Sequence, residues 1–121
     1  MPPHVLLVDD DEFARGFART VLQRAGYAVV EVEDVCSALA SAAASEPSVV
    51  VTDWNLPDGD GGSLARTLHA TITDLPVILI TGDAEASSQS TDDIGSPFVN
   101  IISKPFSPSA LTKAMRDVLV R

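Results

Sequence analysis

Cysteine is nearly absent: Cys36 stands alone in 121 residues, so no disulfide can close within the chain, and the residue reads as a packed helix position. Basic residues are scarce too. Eight Lys and Arg face seventeen Asp and Glu, a formal charge of −9 at pH 7, which argues against the cationic grip that displaces counterions from a nucleic-acid backbone. The same excess can attract a basic partner or a metal cation. No apolar run approaches the roughly 20 residues needed to span a bilayer. At the amino end, His4 opens only the short run Val5 to Val8. Neither a membrane segment nor a signal peptide is therefore expected, and the reading is a reducing, cytoplasmic setting. Acids, not glycines, follow that first run, so the Gly-rich phosphate loop of a nucleotide or flavin binder is missing. His4 and His69 have no clustered partners in sequence and carry no metal or catalytic reading.

What is present suits one domain over 1–121, since 45% hydrophobic content at this length can bury a core. Val5-Leu6-Leu7-Val8 reads as a buried strand that stops at Asp9-Asp10-Asp11-Glu12, acids favoured at the start of a helix. Phe13, Phe17, Val21 and Leu22, with Ala14 and Ala18 between, mark one face of that helix, which should end at Ala25-Gly26. Tyr27 to Val32 is a second strand, and Glu31 marks it as an edge. Asp34 or Ser37 can cap the alanine-rich helix from Ser37 to Ala44, which Pro47 closes.

The run Val49-Val50-Val51-Thr52-Asp53 predicts a strand covered on both faces and ending in a carboxylate. Trp54 to Gly59 reads as loop and turn. Ser63 is the candidate cap of a helix carrying Leu64, Ala65, Leu68 and Ile72. Val77 to Ile80 is a fourth strand ending at Thr81-Gly82, and Asp83 to Gly95 is read as a short helix. Phe98 to Ile102 is a fifth strand, delivering Ser103-Lys104-Pro105-Phe106 at its end. Ser107 or Ser109 caps a last helix, whose Leu111, Ala114, Met115, Val118 and Leu119 share one face.

Five strands alternating with five helices imply an α/β fold: a flavodoxin-like, doubly wound, five-stranded parallel sheet of strand order 2-1-3-4-5. That order puts the first and third strands side by side at the switch point, so Asp9, Asp10 and Asp53 should converge. Crowded carboxylates repel and require a positive charge. Mg²⁺ fits as a hard, oxygen-seeking ion. Lys104 adds a compact cation suited to phosphate, and Thr81 a hydroxyl donor. Such a set describes a phosphoryl site more readily than a hydrolase triad.

Val8-Asp9-Asp10, Asp53 with Trp54-Asn55-Leu56-Pro57, Thr81-Gly82 and Lys104-Pro105-Phe106 together resemble the receiver domain of bacterial two-component response regulators, along essentially the whole chain. The resemblance implies a signalling phosphoacceptor that is not a conventional enzyme. A sensor histidine kinase or a histidine phosphotransfer protein would phosphorylate Asp53, and an unidentified downstream target or output domain would read the change. It implies Mg²⁺ held by the side chains of Asp10 and Asp53 and the main-chain carbonyl of Asn55, with Asp9 ligating directly or through water. It implies Lys104 paired with the phosphoryl group, Thr81 hydrogen-bonded to it, and a cis Lys104–Pro105 bond. Neither direct nucleic-acid binding nor membrane attachment is expected. The chain departs from the pattern at Ile101, where receivers carry Tyr or Phe, and this motivates a second reading: a receiver-like interaction module that signals without phosphorylation. Trp54 is either an interface anchor or a cover for the site.

Overall fold

The computed structural model describes residues 4–81, 99–103 and 106–119. Five strands form one parallel sheet: β1 (His4–Val8), β2 (Ala28–Val32), β3 (Val49–Asp53), β6 (Val77–Thr81) and β7 (Val99–Ser103), in the order β2-β1-β3-β6-β7. Two further strands, β4 (Asn55–Leu56) and β5 (Gly59–Asp60), form a small antiparallel hairpin. The described helices are α1 (Glu12–Arg24), α2 (Val35–Ala44), α3 (Gly61–Thr71) and α4 (Pro108–Leu119). The flavodoxin-like architecture and the relative order of its five parallel strands are as expected. The helix expected between Asp83 and Gly95, and Phe98 at the start of the last strand, lie outside the described residues.

The unbroken apolar strands divide their side chains between two cores. Val5, Leu7, Val49, Val51, Ile78 and Ile80 face α1 and α4, meeting Leu22, Leu111 and Met115. Leu6, Val8, Val50, Val77 and Leu79 face α2 and α3, meeting Ala38, Leu64 and Leu68. A strand whose alternate residues enter different cores has no polar face to show in sequence, which is why these runs do not alternate. The outer strand β2 differs, with Ala28, Val30 and Glu31 exposed, as its edge position requires.

Helix ends follow elementary capping chemistry. Asp11 caps α1 by accepting from the Phe13 N–H, and the chain leaves that helix through Gly26 at φ +99°, a conformation only glycine adopts without cost. Asp34 caps α2, whose first residue is Val35 rather than Ser37. Ser63 does not cap α3: Asp60 does, accepting from the Ser63 N–H at 2.7 Å, and Gly61-Gly62 form the first helical residues. Ser107 fills the corresponding place before α4, its hydroxyl accepting from the Ala110 N–H at 3.1 Å.

Three other expectations need correction. The stretch from Trp54 to Gly59 is not wholly loop, because it contains the β4–β5 hairpin. Phe13 is 88% exposed, for the buried stripe of α1 begins only at Ala18, while Phe17 is partly covered by the Phe106 ring at 5.5 Å. Cys36 is exposed rather than packed. The buried stripe of α2 runs through Ala38 and Ala42, and Cys36, two residues before it, lies about 200° round the helix.

Candidate functional site

The site is built where the central strands leave the sheet. Val8 of β1 pairs with Thr52 of β3, and Asp53 pairs with Ile80 of β6. Asp9, immediately after β1, and Asp53, the last residue of β3, are therefore neighbours at the carboxyl edge, the position at which open α/β sheets bind ligands. Asp10 follows on the same turn. Carboxylate oxygens of Asp9, Asp10 and Asp53 come within 4.8 Å of one another, Asp9 and Asp53 buried and Asp10 exposed. Thr81 ends β6 beside β3, is 1% exposed, and pairs with Ser103 of β7. Lys104, with the Lys104–Pro105 bond, lies outside the described residues.

The main chain around these acids is fixed on several sides. The Asp9 N–H donates to the Val32 carbonyl at 3.1 Å, and Asp9 Oδ1 accepts from the Asp11 N–H at 2.9 Å. Beyond Asp53, the Trp54 N–H donates to Ile80 at 2.8 Å and the Trp54 carbonyl accepts from Gly61 at 2.8 Å. The loop after this edge is thus tied to both β6 and α3. Gly61 sits so close that a Cβ there would lie 2.6 Å from the Asp53 carbonyl oxygen and 2.8 Å from Leu79 Cδ2. Trp54 lies half-buried over the start of α3, where a Cβ at Gly62 would be 3.1 Å from its ring. Asn55 is exposed at the base of the hairpin, paired with Asp60. Ile101 is half-buried and packs against the α2–α3 core.

The hairpin is also tied to α2. Asp58 accepts from the Val35 N–H at 2.8 Å and the Cys36 N–H at 3.0 Å, and these two backbone donors, Val35 first, hold its carboxyl below the usual carboxylate range.

The sequence places Asp9, Asp10, Asp53 and Thr81 at or just beyond strand ends, and the structure brings the first three carboxylates together. Sequence reasoning missed Gly61 and Arg15. A Gly-Gly pair opening a helix, where glycine is a poor former, is the signal of close backbone approach. Arg15, whose guanidinium Nη1 donates to the Asp9 carbonyl at 2.9 Å, left no signal beyond an arginine one turn past the helix cap.

The three carboxylates suit a hard divalent cation and disfavour an anionic cofactor in the same place. Fold and site define an open α/β domain with an acidic pocket at its switch point. The response regulator receiver domain matches residues 5–116. The chain is 36% identical over 115 residues to the C4-dicarboxylate transport transcriptional regulatory protein DctD of Pseudomonas aeruginosa, covering 95% of this chain and 25% of that protein. It is 32% identical over 120 residues to the phosphate regulon transcriptional regulatory protein PhoB of the same organism, covering 97% and 52%. The chain thus spans about half or less of the length of these curated relatives. Among solved structures, the chemotaxis response regulator CheY4 of Vibrio cholerae superposes with a TM-score of 0.87 at 28% identity, covering 98% of this chain and all of that one. The chain belongs to the response regulator receiver domain family of two-component signal transduction. Receiver domains bind Mg²⁺ at an acidic pocket, and the cluster of Asp9, Asp10 and Asp53 has the donor chemistry for it.

Proposed function

We propose that residues 1–121 act as a cytoplasmic phosphoacceptor unit that takes a phosphoryl group from a sensor histidine kinase or a histidine phosphotransfer protein onto Asp53, and that the modified surface changes its affinity for a downstream protein target. The observation that carries this reading is the gathering of the Asp9, Asp10 and Asp53 carboxylates within 4.8 Å at the ends of adjacent strands. Asp9, Asp10 and Asp53 by their carboxylates and Asn55 by its main-chain carbonyl would hold Mg²⁺. Once bound, the ion supplies charge neutralisation for the transferring group.

The chain's own residues do the rest. A carboxylate oxygen of Asp53 attacks phosphorus in line. The new P–O bond forms as the P–N bond of the phosphohistidine breaks, and the electron pair leaves on the imidazole, which takes up a proton. Lys104 offsets the phosphoryl charge, and the Thr81 hydroxyl donates to a phosphoryl oxygen. Little covalent work is asked of the protein, because phosphoryl transfer is catalysed mainly by position and electrostatics. Asp53 is well suited to hold position, since its strand is bonded to a neighbour on either side. The product carries about −1.5 to −2 charge at neutral pH, enough to bias a two-state loop. Water attack on the acyl phosphate returns the carboxylate, so the chain turns over only its own modification.

Acetyl phosphate or phosphoramidate with Mg²⁺ should add a phosphoryl mass to the protein, labile to hydroxylamine, mapped to Asp53, and lost in Asp53→Asn and in EDTA. A wild-type chain that takes no label and does not respond to beryllofluoride would overturn the proposal. Ile101, an aliphatic side chain packed where receivers carry an aromatic, favours one competing reading, signalling by binding alone. That reading requires partner affinity to be unchanged by beryllofluoride and by Asp53→Ala.

A further inference from the structure

The peptide joining Asp9 to Asp10 is planar, so the direction of the Asp9 carbonyl sets the orientation from which both acidic side chains depart. That carbonyl accepts from Arg15 Nη1 at 2.9 Å. The guanidinium is itself anchored: its Nε meets Glu31 Oε1 at 3.2 Å and its Nη1 lies 3.8 Å from Glu33 Oε1, with the Arg15 side chain only 15% exposed. Glu31 is braced in turn by Arg19, whose Nη1 reaches Oε2 at 3.1 Å. The network therefore runs from the edge strand β2 across α1 and ends on the backbone between two members of the acidic cluster.

We infer that Arg15, held by Glu31, is a positioning residue for the cation site, acting through the Asp9 carbonyl. The inference rests on the phosphoacceptor reading for the identity of the ion. Three carboxylates within 4.8 Å push one another apart, and a segment carrying two of them will splay unless its main chain is held. β1 stops at Val8, so beyond that point the ladder no longer supplies the restraint. The Asp9 N–H still bonds to β2. Its carbonyl is the atom that Arg15 secures. The planar fork of arginine can serve Glu31 from Nε and the carbonyl from Nη1 at once, which a lysine ammonium cannot reproduce from a single point. If these contacts were only a surface ion pair, they would be worth little to stability and nothing to the site.

Mg²⁺ titration followed by the fluorescence of Trp54, the only tryptophan and the neighbour of Asp53, separates the two roles when run beside thermal melts in EDTA. Arg15→Ala should raise the Mg²⁺ Kd about tenfold, as loss of a group behind a metal ligand does, while the EDTA melt moves little. Arg15→Lys should recover part of the affinity, Glu31→Gln should lie between wild type and Arg15→Ala, and the double variant should bind no worse than Arg15→Ala alone. Arg15→Ala and Glu31→Gln proteins that both bind Mg²⁺ as wild type does, while Asp10→Asn binds it weakly, would overturn this inference and leave the cation site standing. A wild-type chain that binds no Mg²⁺, or an Asp10→Asn chain that binds it unchanged, would overturn the reading of the cation site itself.

Discussion

Gly61 shows how tightly single residues are constrained beside Asp53. A methyl group there would press on the Asp53 carbonyl and on Leu79, and the backbone member of that pair cannot step aside. Gly61→Ala should cost about 1–3 kcal/mol, the range for overpacking, although the same change at an open helix position would stabilise; urea denaturation of the two proteins measures it. The acidic cluster was the most legible part of the candidate site, because Asp9 and Asp53 each mark the point where an apolar run stops. Phe13 and Cys36 were misread for a common reason. A helical repeat reveals which residues share a face but not where along the helix the core begins or how wide the buried stripe is, and those depend on neighbours far away in the chain.

Among the elements, the β4–β5 hairpin and α2 are held together by one carboxylate. Asp58 accepts from the first two N–H groups of α2, while Asp34 accepts from a third. Because these bonds favour the ionised form, the folded pKa of Asp58 lies below its unfolded value. Its contribution is therefore complete above the unfolded pKa of about 4 and is lost as pH falls through the lower folded value. Comparing urea midpoints of wild type and Asp58→Asn from neutral to acidic pH should show a gap that closes on the acid side. At neutral pH, Asp60→Ala should cost about 1 kcal/mol by removing the cap of α3, read from the same denaturation curves. Element order and strand identity could be read from the sequence, whereas this hairpin could not: strands of two residues carry no periodicity, and Pro57-Asp58-Gly59 signals a turn without saying what pairs beside it. The sequence puts the cap of α3 three residues late, at Ser63 rather than Asp60, because Gly-Gly looks unhelical until the cap behind it is seen.

At the scale of the whole molecule, topology was legible because buried parallel strands and amphipathic helices leave few ways to cover both sheet faces. The Arg15–Glu31 link was not, since it joins residues on different elements through a backbone atom. Charge acts at this scale too. With a net −9 and the carboxylates of Asp9, Asp10 and Asp53 within 4.8 Å of one another, Asp53→Asn removes one of three like charges held close together. That variant should be more stable than wild type by about 0.5–2 kcal/mol in EDTA, as expected when a functional strain is removed, and the gain should shrink in saturating Mg²⁺ or high salt; differential scanning calorimetry under the three conditions tests this. β3 has a further consequence. Its amides and carbonyls are committed to β1 on one side and β6 on the other, so under the proposed phosphoacceptor reading Asp53 would act as an anvil, a stationary block against which the phosphoryl group is fastened. Any displacement that carries the message outward must arise in the perimeter, and amide exchange of Val50, Val51 and Thr52 should be equally slow with and without beryllofluoride.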